Sequence, residues 1–168
     1  MPSKGSRWWL TSDSAELVIN ADAARVYELV ADLTRMGEWS PECERVEWED
    51  GSTDAVEGAT FVGHNRGGPA KKIRWKRHGR VLVADRGREL AFITDEGGRE
   101  STVWSYHLEP VAGGTRVTES YEVRWIPVWA RIVDVPTNRH RELQEGMQHT
   151  LAQLKRAAEA EGTTDNPS

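Results

Sequence analysis

The chain has 168 residues, 38% of them hydrophobic and 29% charged, with a formal net charge of −5. That length suits one domain with a substantial core, and that composition is globular rather than disordered. The negative balance, with no Lys/Arg block on any one predicted element, argues against nucleic acid as the main partner, because phosphate binding needs clustered positive charge.

The most basic stretch, Lys71–Lys72 followed by Arg74, Lys76 and Arg77, reads as a solvated strand face. The single cysteine, Cys43, rules out an internal disulfide and makes a reducing cytoplasm the default compartment. After Lys4 and Arg7 only Trp8–Trp9–Leu10 is apolar. A signal peptide needs roughly 7–15 apolar residues and a membrane span about 20. The protein is therefore expected to be soluble, not exported by that route, and not integral to a membrane. Eight tryptophans stand against two phenylalanines. Trp joins a large apolar surface to one N–H donor, which suits cavity walls and interfaces as well as cores.

Residues 1–14 show no sustained period and read as a flexible tail, on which Trp8 and Trp9 remain available for docking. From Ala15 a first strand is predicted, then a short helix capped by Asp22 with Val26, Leu29 and Val30 on one face. A second short helix near Leu33 to Trp39 is stopped by Ser40–Pro41. Strand patterns follow around Arg45–Glu49, Thr60–Asn65, Ile73–Val83, Glu89–Thr94, Ser101–Glu109 and Thr115–Val123. Turns are expected at Asp50–Gly51, Gly67–Gly68–Pro69, Gly97–Gly98 and Gly113–Gly114, with a bulge or bend at Gly79. Consecutive strands with short turns imply an antiparallel meander.

The segment from Trp125 to Pro136 lacks strand alternation. Val128, Trp129, Ile132 and Val133 would share one side of a short helical turn, a lid or an apolar plug. From Arg139 to about Glu161 a long amphipathic helix carries Leu143, Met147, Thr150, Leu151, Leu154 and Ala158 as one stripe. Gly146 lies inside that stripe, where it costs about 1 kcal/mol relative to Ala. Close packing on a strand, or room for a ligand or a kink, would each account for it. The polar end from Gly162 should fray as a disordered tail.

One strand, two short helices, about six antiparallel strands and one long helix make an α+β domain over residues 15–161. The remaining space inside becomes either packed core or cavity. Five segments carry a resemblance: Asp32–Glu42 (DLTRMGEWSPE), Gly58–Arg66 (GATFVGHNR), Trp104–Pro110 (WSYHLEP), Gly114–Ser120 (GTRVTES) and Gly146–Lys155 (GMQHTLAQLK). Their order resembles the SRPBCC superfamily, the START-like or helix-grip fold, and looks most like its polyketide cyclase/dehydrase and lipid transport branch. The resemblance implies a curved antiparallel sheet wrapped around the long C-terminal helix, with an internal hydrophobic cavity. The full pocket of the dedicated aromatic polyketide cyclases has no obvious match here.

Strand alternation then assigns walls. Trp104, Tyr106 and Leu108 face inward, as do Val117, Glu119, Tyr121 and Val123. Glu119 is the leading polar candidate, because an inward carboxylate costs several kcal/mol unless paired, hydrogen-bonded or protonated. A structural pairing with Arg74, Arg77 or a tyrosine is the competing reading. Phe61 and Asn65 are placed toward the cavity and His64 away from it. Trp75 is placed on the sheet interior and Trp39 at the seam between the short helices and the sheet. Met147 and Leu151 complete the expected ligand-binding set. The scattered histidines and lone cysteine support no metal site, and no phosphate-binding loop or other cofactor motif is present.

Three functions compete. The leading one is binding of a small hydrophobic molecule (a lipid, a polyketide-like or an aromatic metabolite) in the cavity. The second is a cyclase or dehydratase with Glu119 as general base, Tyr106 or Tyr121 as acid, and Asn65 or an arginine polarising a carbonyl. The third is a protein-interaction module using Trp8–Trp9 or Val128–Trp129, since the fold alone does not choose among chemistries. No sequence feature specifies an oligomer.

Overall fold

The computed structural model describes residues 12–130, 132 and 139–162. Seven antiparallel strands form one sheet in the order β1-β7-β6-β5-β4-β3-β2. They are β1 (Ser12–Ile19), β2 (Cys43–Glu49), β3 (Thr60–Gly67), β4 (Ile73–Asp85), β5 (Glu89–Glu96), β6 (Arg99–Val111) and β7 (Gly114–Val123). Strands β2 to β7 are a continuous meander, and β1 closes the sheet by pairing with β7. The helices are α1 (Ala23–Ala31), α2 (Met36–Trp39, entered through a 3-10 turn at Leu33–Arg35) and α3 (Arg139–Gly162).

The local chemistry explains these elements. Asp22 caps α1 by accepting the Arg25 N–H at 2.8 Å, and Val26, Leu29 and Val30 on its face are buried. Gly97 and Gly98 form the two-residue connection between β5 and β6 with φ of 60° and 84°. Positive φ at both positions is the backbone twist such a hairpin needs, and glycine adopts it without strain. Strand β1 begins at Ser12, three residues before the predicted start, because Ser12 to Ser14 pair with Glu122 to Ser120 of β7. Residues 1–11, with Trp8 and Trp9, and the tail beyond Gly162 lie outside the described residues.

Helix α3 buries Met147, Thr150, Leu151, Leu154 and Ala158 and exposes Arg141, Glu145 and Gln148, as the sequence stripe requires. It packs along β1 and touches α1, α2 and β7. Its polar flank also serves the sheet edge. Lys155 donates to the Val18 carbonyl at 3.0 Å, Gln144 to the Ser14 carbonyl at 3.4 Å, and Glu159 accepts the Asn20 N–H at 2.9 Å. Backbone groups of an edge strand are thereby occupied rather than left open for another strand.

Gly79 was expected to bulge, yet β4 pairs regularly through it with Phe61 and Thr94; the irregularity falls between Val81 and Val83. Gly79 serves instead as a seat for Phe61. A Cβ there would fall 2.2 Å from the Phe61 ring, which stands edge-on to Trp48 and Phe92 at centroid distances of 6.1 and 5.4 Å. Gly79→Ala should destabilise the fold by about 1–3 kcal/mol, the usual cost of overpacking. A shift in urea midpoint without a change in slope would register it.

Candidate functional site: a cavity under the long helix

The sheet, α2 and α3 enclose a cavity of about 380 Å³, within the range of ligand pockets. Its inner wall is apolar and assembled from distant segments: Leu33 and Met36 beside α2, Phe61 on β3, Phe92 on β5, Trp104 on β6 and Met147 on α3. Alternation along β3 turns Phe61, Gly63 and Asn65 to this side. Asn65 is half-buried and its amide donates to the Gly63 carbonyl at 3.3 Å. His64 lies on the outer face, bonded to Glu47 at 2.7 Å.

One charged group stands deep in this wall. Glu119 on β7 is 4% exposed and lies directly opposite Tyr106 in the β6–β7 register. The Tyr106 hydroxyl donates to Glu119 Oε1 at 3.0 Å, while Glu119 Oε2 is buried with no partner among the described residues. Burial pushes the Glu119 carboxyl up to about 8, against the smaller downward pull of the Tyr106 hydrogen bond. Tyr106 is itself raised well above the ordinary phenol value, by burial first and then by the Glu119 charge. Of the partners weighed from sequence, the tyrosine is the one found. Arg74 pairs with Glu44 at the surface, and Arg77 pairs with Glu96.

The mouth is polar and tied down. Arg139, at the start of α3, grips both carboxylate oxygens of Glu42, one of them at 2.9 Å, which fixes the helix to the chain entering β2. Ser101 accepts the Arg124 N–H on its carbonyl at 2.7 Å and donates its hydroxyl to the Trp125 carbonyl at 2.6 Å. Arg99 stacks over the Trp125 ring at 4.5 Å. These contacts turn the chain leaving β7 across the opening, where Ile126, Trp129 and Ala130 join the cavity wall. Residues 128–130 and 132 are helical as expected, but Val128, Trp129 and Ile132 are 74%, 63% and 71% exposed, so they do not form a buried plug. Val133 lies outside the described residues.

Seven of the ten residues expected to bind ligand lie in the cavity wall: Phe61, Asn65, Trp75, Trp104, Tyr106, Glu119 and Met147. Trp39, Tyr121 and Leu151 do not. Trp39 is packed between α2 and the sheet with Arg35 over its ring at 5.3 Å, and Leu151 is fully buried in the core below the cavity floor residues Met147 and Thr150. Tyr121 is buried beside Trp104 and bonds His140 at 3.1 Å. Sequence reasoning missed Cys43, Phe92, Arg77, Ser101 and Arg139 as wall residues. Cys43 faces the cavity, and burial pushes its thiol up to about 11, which leaves it unreactive. Among the described residues no group of three or more His, Cys, Asp or Glu is placed to hold a metal ion. No described helix is long and apolar enough to cross a membrane.

This combination of a seven-stranded antiparallel sheet, short helices and a long C-terminal helix packed along it, with an open-mouthed cavity between them, is the helix-grip architecture. The chain belongs to the polyketide cyclase/dehydrase and lipid transport family, whose family model matches residues 12–159. A polyketide cyclase-like protein from Corynebacterium glutamicum is 30% identical, with 94% of this chain and 97% of that one covered at a TM-score of 0.60. An AHSA1-like protein from Aeromonas hydrophila is 20% identical over 94% of this chain and 98% of its own, also at 0.60. The di-domain ARO/CYC StfQ of the steffimycin biosynthetic pathway matches at a TM-score of 0.72 and 12% identity, covering 91% of this chain and 52% of that one. The last two likenesses show the shared fold. No curated protein matches the chain at a significant level.

Proposed function

We propose that this protein binds a small hydrophobic molecule, a lipid, polyketide-like or aromatic metabolite, inside the cavity beneath α3. The observation that carries this reading is the cavity itself, about 380 Å³ with an inner wall of Phe61, Phe92, Trp104 and Met147 and a few buried polar groups, among them the carboxyl of Glu119 and the hydroxyls of Tyr106 and Thr150. Each ligand methylene transferred there from water contributes about 0.8 kcal/mol, so affinity needs no chemistry. Because Trp75 and Trp104 belong to the wall, an apolar probe whose absorption overlaps indole emission should quench tryptophan fluorescence on entering. Saturable quenching at one probe per chain is expected; linear, unsaturable quenching would contradict the reading.

A second reading is favoured by one feature. Glu119 titrates near 8, close to the range where a side chain exchanges protons efficiently at physiological pH. A cyclase or dehydratase would use Glu119 as base, Tyr106 as acid and Asn65 against the carbonyl, since the wall arginines Arg77 and Arg139 are paired with Glu96 and Glu42. Glu119→Gln separates the two readings: turnover should vanish while affinity persists if the protein is an enzyme. Turnover that survives the substitution would remove Glu119 from any catalytic role.

A further inference from the structure

The state of Glu119 constrains what the cavity accepts. Its Oε1 takes the Tyr106 hydroxyl, and its Oε2 is buried without a partner among the described residues. A carboxylate held by one neutral hydroxyl and no cation is the unfavourable form of this group. The neutral acid avoids that cost, and its proton then needs an acceptor. The described wall holds two arginines, and neither is available: Arg77 is paired with Glu96 and Arg139 with Glu42. Besides Glu119 the described wall carries four carboxylates, Glu42, Asp95, Glu96 and Glu142, against these two arginines; Glu142 shares Arg139 with Glu42, and Asp95 accepts the His78 and Gly98 N–H groups.

We propose that Glu119 acts as a neutral carboxylic acid that donates its proton to an uncharged acceptor on the bound molecule, a ketone or ester carbonyl, so that the cavity selects apolar carbonyl compounds over carboxylates of the same shape. This rests on the hydrophobic-binding reading and deepens it. The excess of carboxylates over arginines in the wall disfavours an anionic ligand, and the orphaned acid favours an acceptor.

Titration of Glu119 removes the donor. The other titratable groups around it are Tyr106 from β6, Cys43 from β2, Tyr121 on β7 itself, His140 of α3 behind Tyr121, and the wall carboxylates Glu42, Asp95, Glu96 and Glu142. The two tyrosines are pushed up, Tyr121 to about 12, and the thiol to about 11, so all three keep their protons while Glu119 loses its own. Despite its burial, Arg139, raised further by its Glu42 hydrogen bonds, stays charged throughout.

The test is calorimetric titration of the full chain with acetylnaphthalene, ethylnaphthalene and naphthoate at about pH 6 and about pH 9.5, on either side of the Glu119 transition. At the lower pH the ketone should bind about tenfold more tightly than the ethyl compound, the worth of one well-made hydrogen bond, and naphthoate least. The ketone preference should disappear at the higher pH and in Glu119→Leu, and persist at both pH values in Glu119→Gln, whose amide still donates. If ethylnaphthalene binds but the ketone gains nothing, or naphthoate binds as well as the ketone, the neutral-donor proposal is overturned while hydrophobic binding stands. If none of the three binds, the binding reading falls and takes the proposal with it.

Discussion

Glu119→Gln will be more stable than the wild-type chain at pH 9 and nearly equal to it near pH 4. The sign follows from proton counts. In the unfolded chain this carboxyl ionises around its ordinary 4.5, and in the folded protein only at about 8. Between those values the folded state holds a proton that the unfolded state has released, so stability falls as pH rises, by about 1.4 kcal/mol per unit. Above 8 both states are ionised and the loss is complete. The full span corresponds to on the order of 5 kcal/mol, a large share of a domain's typical stability. Glutamine keeps the acceptor for the Tyr106 hydroxyl and cannot ionise, so the decline should be absent from its profile. Urea unfolding at pH 5, 7 and 9 reads this directly. Parallel profiles for the two proteins would mean that Glu119 reaches water or a cation when folded.

The second large effect concerns Gly146. A Cβ at this position would meet only the Pro41 ring, at 3.5 Å, an ordinary contact. The residue also lies in the cavity wall. Gly146→Leu therefore gains about 1 kcal/mol of helix propensity and places its remaining atoms in the space a ligand would use. Stability should hold or rise slightly, while affinity for an apolar probe should fall by about 100-fold or more. Loss of binding with intact folding separates occupation of the cavity from general damage. A Gly146→Leu protein that binds as well as wild type would place the ligand elsewhere.

Much of this was legible in the sequence, and the reasons are physical. Period-two alternation on β6 and β7 reads directly as inward and outward faces, which is why Tyr106 and Glu119 were paired with the interior before any contact was known. The α3 stripe identified its buried face equally well. Alternation does not say how far along the interior a residue sits. Tyr121 and Leu151 share the inward phase with Glu119 and Met147, yet they fill core rather than line space, because only three-dimensional packing decides which inward residues leave a gap. Phe92 was missed for a different reason. Leu90, Ala91, Phe92 and Ile93 are all buried, so β5 shows no alternation to read. Arg77 reads as part of a solvated strand face or a partner for Glu119, and Arg139 only as the start of the long helix, since their actual partners Glu96 and Glu42 are distant in sequence. Gly146 left two explanations open from sequence; the loose contact with Pro41 favours room over close packing.

The measurement that tests the central claim most directly is native mass spectrometry of the gently purified chain after exposure to a lipid and polyketide panel, with Gly146→Leu carried in parallel. The account expects one hydrophobic molecule retained per wild-type chain and none on the variant. A wild-type chain that emerges free of any bound molecule, or a variant that retains the same one, would contradict the cavity as the binding site.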